Sequence, residues 1–372
     1  MRFSGFDDEW IEEKLGNLVQ IKSGECTKNL ITGIDNSIPY FKVEQLNNSL
    51  KYQIKTPYFI NDKSKIVNKG SIIFPKRGAA ILLNKIRILN QDSFMDTNLM
   101  TLTPNNKLYN EFLYYFIYKE NLSKIADTTS IPQLNNKHIK PYPIKLPSFE
   151  EQLKISKFIS SVDKKVALLS QNLEIFNDFK KGLLQQIFTQ KLRFNFTDDW
   201  NYMNFSEIFK SVSTKKYQIK SADILDKGDF EVIDQGQDEI AGYFNDKTKL
   251  CQELPIIIYG DHTTFVKFRD KPFIVGADGV KLLIPKFNAN PKYLFYALEH
   301  FNIKPEGYKR HFSIIKKIKL PIPTLEEQNE ISEIFTYIDI KLKYTKIQLQ
   351  ETEEFKKGLL QQMFVSMRTM VS

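Results

Sequence analysis

The sequence is poor in the residues from which redox, metal and catalytic centres are usually built. Its 372 residues include two cysteines and four histidines. Cys26 and Cys251 lie in different halves of the chain, outside any metal-ligand spacing, and this pattern predicts free thiols in a reducing compartment. The histidines, at positions 138, 262, 300 and 311, do not form a His-Glu-x-x-His motif. We therefore expect neither catalytic residues nor metal ligands in this chain.

Glycine-rich binding loops are also missing. No Gly-x-Gly and no Walker loop occurs, so the usual dinucleotide and S-adenosylmethionine loops cannot be drawn. One turn resembles a catalytic loop: Tyr259-Gly260-Asp261-His262-Thr263-Thr264. No nucleophile with a base partner is legible near it, and recognition modules also present polar loops after strands. The pattern favours binding, with an enzyme site around Asp261 and His262 as the alternative.

Long apolar runs are absent as well. No run approaches the roughly 18 residues that a membrane helix needs. The first ten residues combine Arg2 with three acidic residues, unlike the basic and apolar start of a signal peptide. We expect a cytoplasmic protein that does not enter a membrane.

Positive charge is present but unevenly distributed. The chain carries a net charge of +9. Residues 1–145 hold 20 Lys and Arg against 14 Asp and Glu, and residues 191–320 hold 21 against 17, so these two stretches contain the surplus. Basic surfaces attract nucleic acids. A lysine-rich genome would produce the same surplus, so both interpretations stay open.

A segment of 42 residues occurs twice. Between 147–188 and 323–364, 18 of the aligned pairs are identical. Ser148-x-x-Glu151 and Thr324-x-x-Glu327 predict the starts of two helices, over about 148–190 and 324–366. In the first helix, apolar residues recur in alternating steps of four and three, which predicts a coiled-coil seam. In the second helix the seam is interrupted by Thr345, Thr352 and Lys356.

The repeat divides the chain into four segments. We predict a first globular domain over 1–146, a helical spacer over 147–190, a second domain over 191–322 and a second spacer over 323–372. The fold class is α+β: two globular α/β domains alternate with two long helices that pair as an antiparallel coiled coil, in a pseudo-two-fold internal repeat. Alternating patterns predict strands at 17–22, 39–43, 71–74, 98–103, 230–234, 255–259, 272–275 and 280–284, and helices at 109–119 and 291–300.

Loops rich in donors and acceptors are the candidate contacts with nucleic acid. Arg and Lys suit guanine, and Asn and Gln suit adenine, although a solvated loop or a phosphate contact is the plainer interpretation for any single residue. In the first domain the candidates are Lys76, Arg77, Lys85, Arg87, Gln133, Asn135, Asn136 and Lys137. In the second domain they are His262, Thr263, Thr264, Lys267, Arg269, Lys309, Arg310, His311 and Ser313.

The block Phe-Lys-Lys-Gly-Leu-Leu-Gln-Gln is repeated without change at 179–186 and 355–362. A glycine inside a helix costs stability unless another helix approaches closely there. The block therefore predicts helix packing, or a docking surface presented twice to two copies of one partner, and both can hold. The candidate residues are Phe179, Gly182, Leu183, Leu184 and Gln185, with Phe355, Gly358, Leu359, Leu360 and Gln361 in the second copy.

Together these features resemble the specificity subunit of type I restriction-modification systems. The resemblance is carried by Leu146-Pro147-Ser148-Phe149-Glu150-Glu151-Gln152, by Pro321-Ile322-Pro323-Thr324-Leu325-Glu326-Glu327-Gln328 and by both Phe-Lys-Lys-Gly-Leu-Leu-Gln-Gln blocks. It covers essentially the whole chain. The weaker seam of the second helix departs from the pattern and leaves the register of the pair open.

The resemblance implies a non-catalytic subunit that binds double-stranded DNA. Each domain, as a target-recognition domain, would read half of a bipartite asymmetric site, and the helices would set the spacing. Its implied partners are two modification (methyltransferase) subunits and two ATP-dependent restriction subunits. S-adenosylmethionine, ATP and Mg²⁺ would be bound by those partners, and the methylated base would be an adenine. Besides the enzyme mentioned above, a coiled-coil scaffold that binds RNA or acidic proteins remains an alternative.

Overall fold

The computed structural model describes residues 2–26, 30–32, 37–61, 66–128, 131–276, 278–307 and 309–364. The chain forms two compact units. Unit 1 comprises residues 1–168 and 348–372, and unit 2 comprises residues 169–347. Each unit therefore contains one mixed α/β domain together with one half of each long helix.

Unit 1 contains two sheets and a short strand pair. Its strands are β1 (Ile11–Lys14), β2 (Val19–Ser23), β3 (Ile38–Phe41), β4 (Tyr52–Gln53), β5 (Phe59–Ile60), β6 (Ile72–Pro75), β7 (Arg87–Leu89), β8 (Phe94–Met95), β9 (Leu99–Pro104) and β10 (Pro143–Leu146). The five-stranded sheet has the order β2-β9-β6-β7-β4, the three-stranded sheet β5-β3-β8, and β1 pairs with β10. Its helices are α1 (Leu15–Leu18), α2 (Asn110–Glu120), α3 (Asn136–Ile139) and the first long helix, α4 (Phe149–Phe188). Single 3₁₀ turns occupy Val43–Asn48, Ala79–Ile81 and Leu122–Ile125.

Unit 2 has a similar arrangement, with two four-stranded sheets and a short strand pair among its described residues. Its strands are β11 (Asn201–Asn204), β12 (Phe209–Val212), β13 (Gln218–Ile219), β14 (Phe230–Ile233), β15 (Gly242–Phe244), β16 (Ile256–Gly260), β17 (Val266–Arg269), β18 (Ile274–Gly276), β19 (Val280–Pro285) and β20 (Lys319–Ile322). The sheets have the orders β12-β19-β16-β17 and β13-β18-β14-β15, and β11 pairs with β20. Its helices are α5 (Phe205–Ile208), α6 (Pro291–His300), α7 (Phe312–Ile315) and the second long helix, α8 (Leu325–Met363). Single 3₁₀ turns occupy Ser221–Asp223 and Lys247–Lys249.

The predicted α+β fold is confirmed, and each predicted strand and helix of the domains lies within two residues of an observed one. The reason is burial: β6 and β16 are buried along their whole length, and α2 and α6 bury apolar and aromatic side chains in the same cores. The strands β1 and β11, which close each domain against β10 and β20, are not among the predicted ones. Their side chains are mostly exposed, so they carry little apolar alternation.

The two long helices run antiparallel within each unit. In unit 1, Ile155 and Ile159 near the start of α4 share a core with Leu359 and Met363 near the end of α8. In unit 2, the end of α4 packs with the start of α8. The core residues there are Leu184, Ile187, Ile331, Phe335 and Ile338.

Two of the three polar residues that interrupt the predicted seam in α8 are buried, and the third, Lys356, is partly exposed and binds Asp163. Thr345 and Thr352 are each 8% exposed, and their hydroxyls donate to the carbonyls of Lys341 and Gln348 one turn earlier. Buried hydroxyls are tolerated when they are hydrogen-bonded in this way. No helix among the described residues combines the length and the hydropathy that crossing a membrane requires.

Candidate nucleic-acid interface and helix anchors

The Glu-Gln pair that begins each repeat holds a domain onto its helix. In unit 1, Glu151 is 1% exposed, and its carboxylate accepts hydrogen bonds from Arg2 at 3.0 and 2.8 Å and from the indole of Trp10 at 3.1 Å. Gln152 accepts from the Tyr109 amide at 2.8 Å, just before α2. These bonds tie both the N-terminal segment and α2 to the start of α4.

Unit 2 repeats these contacts with its own residues. Glu327 is 1% exposed and accepts from Arg193 at 3.0 and 2.8 Å and from Trp200 at 2.9 Å. Gln328 accepts from the Asn290 amide at 2.9 Å, just before α6. The partners were missed by sequence reasoning. Their signal is a second, shorter repeat, in which an Arg-Phe pair is followed by an acidic pair and a tryptophan at 2–10 and again at 193–200.

A second anchor in unit 1 joins α2 to the long helices through charge. Tyr115 donates to Asp163 at 2.6 Å, and Lys356 binds the same carboxylate at 2.6 Å. Lys51 lies at 2.8 Å from the Tyr115 hydroxyl and at 2.9 Å from Glu111. Burial lowers the pKa of Lys51 and raises that of Tyr115, so the phenol stays a hydrogen-bond donor.

The equivalent anchor in unit 2 has one lysine between two carboxylates. Tyr296 donates to Asp339 at 2.8 Å, and Lys180 lies at 3.0 Å from Asp339 and 3.1 Å from Glu299. Partial burial raises the pKa of Glu299, whose side chain is 38% exposed, although Lys180 opposes that rise. Burial alone would lower the pKa of Lys180, but its two acidic partners raise it. Lys180 and Lys356 are the first lysines of the repeated blocks, so these positions carry ion pairs rather than apolar packing.

Candidate residues of the first domain converge at the ends of β6 and α3. The Lys76 carbonyl accepts from the Leu134 amide at 2.8 Å, and Arg77 forms an isolated bridge with Gln133. Arg77, Asn136 and Lys137 are exposed, while Gln133 and Asn135 are partly exposed. Burial, followed by the nearby Arg77, lowers the pKa of Lys76. Two loops more than fifty residues apart thus form one polar surface.

Lys85 lies in the turn before β7, and Arg87 lies in β7 itself. The Arg87 guanidinium is half-buried among Tyr114 and Tyr118 of α2, and burial lowers its pKa. It donates to the Ile86 carbonyl at 2.7 Å. The structure therefore does not bring Arg87 together with Arg77 and Gln133.

In the second domain, Asp261 organises the predicted loop. Asp261 is 3% exposed, its carboxylate accepts from the Phe312 amide at 2.9 Å, and its Oδ2 lies 3.5 Å from Lys281. The His311 amide donates to the Asp261 carbonyl at 2.7 Å. These contacts join the turn after β16 to the start of α7, so this carboxylate serves the loop framework.

Some predicted contact residues of this domain are occupied internally. His311 is fully buried, with its ring nitrogens at 3.1 Å from the Asp261 carbonyl and 3.0 Å from the Glu306 amide. Arg269 is 8% exposed and binds Glu231 and the Glu239 carbonyl, and Lys267 binds the Asp234 and Asp238 carbonyls. Thr264 is 5% exposed. His311, Arg269 and Thr264 thus support loops in this structure, and their predicted contact with DNA stays a prediction.

The remaining candidates of the second domain face outward. Lys309, Arg310 and Ser313 are exposed, and His262 and Thr263 are partly exposed. The His262 ring nitrogen Nδ1 lies 3.2 Å from the Lys309 carbonyl, which brings the turn after β16 next to the segment that precedes α7. The second domain thus also has a polar surface made from two distant loops.

Both domains, each with most of its following helix, match one protein family. Residues 7–175 and 197–354 match the type I restriction modification DNA specificity domain. The chain belongs to the type I restriction-modification specificity family. It contains two copies of the specificity domain.

Relatives and solved structures agree with this membership. The type I restriction enzyme MjaVIII specificity subunit of Methanocaldococcus jannaschii is 22% identical, over 95% of this chain and 91% of its own. A putative type I specificity subunit of Mycoplasma pneumoniae is also 22% identical, over 96% of both chains. A crystal structure of a type I restriction-modification S subunit from M. genitalium superposes with a TM-score of 0.67 at 18% identity, over 98% of both chains. The fold is therefore that of type I S subunits.

In this specificity subunit the repeated block divides between an inward and an outward face. Leu184, Leu359 and Leu360 are buried in the cores, as the packing interpretation predicts. Phe179 and Phe355 are 56% and 54% exposed. A Cβ atom added to Gly182 or Gly358 meets nothing within 4 Å. Close approach of the chain's own helices therefore does not explain the glycines.

Beside the outward face of unit 2 lies an apolar groove between the two long helices. Its volume is about 430 Å³. It is lined by Phe176, Phe179, Leu183, Glu333, Ile334, Tyr337, Ile338 and Lys341.

Proposed function

We propose that each domain of this specificity subunit reads one half of a bipartite, asymmetric DNA site, while the long helices set the spacing between the halves. The observation that carries this proposal is that the two domains share their contacts with the helices but differ in their exposed polar loops. Glu151 and Glu327 hold their domains to the helices through the same contacts, whereas the exposed loops carry different residues. Two different surfaces, attached to the helices in the same way, suit two different half-sites.

Basic and amide side chains supply the chemistry for reading DNA. Arg77 with Gln133 in the first domain, and Lys309 with Arg310 in the second, combine phosphate-binding cations with side chains that can bond base edges. The surplus positive charge of both domains adds sequence-independent affinity for double-stranded DNA.

Catalysis belongs to partner subunits in this proposal. Two modification subunits, which bind S-adenosylmethionine, methylate an adenine in each half-site after the base leaves the stack. Two restriction subunits, which use ATP and Mg²⁺, add cleavage. The exposed Phe179 and Phe355, at equivalent places in the two repeats, support docking of two copies of one partner, since exposed aromatic residues are typical centres of protein interfaces.

The decisive experiment is methylome sequencing of a methylation-deficient host that expresses this chain with its cognate modification subunit. We expect adenine methylation at one split, asymmetric motif, which disappears when this chain is omitted. Methylation that is unchanged without this chain would overturn the proposal. Methylation by this chain alone would instead favour the enzyme alternative.

Domain exchange tests the division into half-sites. Replacing residues 1–146 with the equivalent domain of another specificity subunit should change one half-site and preserve the other half-site and the spacing. Simultaneous change of both halves would contradict independent reading.

Insertion of four residues between 155 and 187 tests the role of the helices. It should lengthen the spacing between the half-sites, and an unchanged spacing would refute that role.

A further inference from the structure

One side chain in the second domain connects three loops near the proposed reading surface. Gln235 follows β14, and its side-chain oxygen accepts from the His262 amide at 3.0 Å. Its side-chain nitrogen donates to the Asp278 carbonyl at 3.0 Å. Its backbone carbonyl accepts from the Thr263 hydroxyl. Gln235 thus links the turn after β16 to the turn between β18 and β19.

The surrounding backbone is shaped around this amide. Gly279 has a φ of +87°, and a Cβ added there would lie 2.5 Å from the Gln235 side-chain nitrogen. A Cβ on Gly260 would lie 3.0 Å from the Gln235 Cβ. Contacts at these distances require something to shift. The two turns therefore pack tightly against Gln235, and a side chain at either glycine would displace a neighbour.

The loop that Gln235 holds is the one that presents candidate DNA contacts. His262 is bonded to Gln235 through its backbone amide rather than through its ring, and Thr263 is bonded to Gln235 through its hydroxyl. The same ring contacts the Lys309 carbonyl, which connects the arrangement to exposed Lys309 and Arg310. Asp261 and His311, both buried, hold the base of the loop. Gln235 sets the position of its outer part.

We propose that Gln235 is a positioning residue for DNA reading by the second domain, which orients His262, Thr263 and Lys309 as one surface. The inference rests on the proposed function. An amide is required because one end must accept from an N–H and the other must donate to a carbonyl. A glutamate cannot donate, and would place a carboxylate against the Asp278 carbonyl. An alanine would remove both bonds.

The test compares Gln235→Glu and Gln235→Ala with a charge-matched control, Gln252→Glu. Gln252 is exposed and precedes β16, at the opposite end of that strand from Asp261. Each variant is assembled with modification subunits and given duplexes altered in one half-site at a time. The half-site of the second domain is the one that changes when residues 191–322 are exchanged.

We expect Gln235→Glu, which loses one hydrogen bond, to methylate the intact site about tenfold more slowly, and Gln235→Ala, which loses both, to be slower still. Discrimination at the second domain's half-site should fall, while discrimination at the other half-site and the behaviour of Gln252→Glu stay unchanged. In Gln235→Ala, hydrogen exchange at the His262 amide should also accelerate, a readout that needs no DNA.

Unchanged discrimination at both half-sites would overturn the proposal, as would an equal loss at both, because a general folding defect gives that result. Slow exchange of the His262 amide in Gln235→Ala would also overturn it. A wild-type complex without sequence preference would instead refute the proposed function, and this failure is distinguishable because hydrogen exchange still reports on the loop.

Discussion

Units 1 and 2 attach their domains to the long helices through equivalent side chains but balance the charge differently. In unit 1, Lys51 and Lys356 surround Asp163 and Glu111. In unit 2, Lys180 alone serves two carboxylates. One position explains part of the difference. In unit 1 it is Tyr118, whose ring centroid lies 4.9 Å from the Lys356 ammonium, and in unit 2 it is Glu299, whose carboxylate pairs with Lys180. The anchor is preserved because the lysine keeps a favourable partner in each unit, an aromatic ring in unit 1 and a carboxylate in unit 2.

This comparison separates what must be shared from what can diverge. The buried carboxylate with its arginine and tryptophan is kept in both units, because a buried charge that loses its partner is strongly destabilising. The outer loops share neither length nor chemistry, since solvent accepts many polar sequences. The exposed loops can therefore change while the contacts that attach each domain to the helices stay the same.

The largest expected effect comes from removing the buried carboxylates. Glu327→Ala should destabilise unit 2 by about 3 kcal/mol, because Trp200 and Arg193 lose a buried partner. Glu151→Ala should destabilise unit 1 less, because Trp10 is more exposed than Trp200. The chain's two tryptophans allow a separate measurement. Urea unfolding by fluorescence in a Trp10→Phe background reports on unit 2, and in a Trp200→Phe background on unit 1. A larger loss in unit 1 would contradict this order.

Removing the lysine of each anchor should also destabilise unit 2 more than unit 1. Lys180→Met should destabilise unit 2 by about 2 kcal/mol, because Glu299 and Asp339 then face each other without a cation. Lys356→Met should destabilise unit 1 by about 1 kcal/mol, because there a single carboxylate, Asp163, loses its cation. The same single-tryptophan backgrounds measure both. Equal losses of unfolding free energy in the two variants would show that the different charge balance of the two lysine anchors has no energetic consequence.

The pH dependence of unit 2 should reveal Glu299. Burial raises its pKa above the ordinary value of 4.5, so the folded state holds this proton more tightly than the unfolded chain. Its stabilising contribution is present below that ordinary value and is lost as the pH rises through the raised pKa. Wild type should therefore lose stability relative to Glu299→Gln between pH 4 and pH 7, in urea unfolding followed through Trp200. A difference independent of pH would contradict the raised pKa.

The smallest expected effect is a gain. Gly182→Ala and Gly358→Ala should each stabilise the isolated chain by about 1 kcal/mol, since alanine favours helix and its Cβ meets nothing within 4 Å. If the glycines serve docking, the same changes should weaken binding of modification subunits in a pull-down. Lys181→Ala, an exposed change beside Gly182, is a control for altering the block. A loss of stability in either glycine variant would restore the packing interpretation.

Much of the fold could be predicted because burial leaves a pattern. Strands such as β16 and helices such as α6 bury apolar residues in runs or at helical spacing, and Ser148 and Thr324 do accept from the Glu151 and Glu327 amides as predicted helix caps. Strands β1 and β11 escaped prediction because an exposed edge pair has no such pattern. Gln235 was also missed, since a single glutamine in a polar turn carries no signal of its partners.

The sequence by itself determined the repeat, the helix starts, the family and the residues available for polar surfaces, because each depends on local pattern or on chemical type; the predicted end of the second helix, at 366, lies outside the described residues. Only the tertiary structure decided which polar residues are accessible. His311 and Arg310 are neighbours in the chain, yet one is fully buried and the other exposed. It also decided that Gly182 faces open space and that Asp163 meets Lys356, which lies almost two hundred residues away. Such contacts depend on how distant segments pack, and local propensity contains no information about that packing.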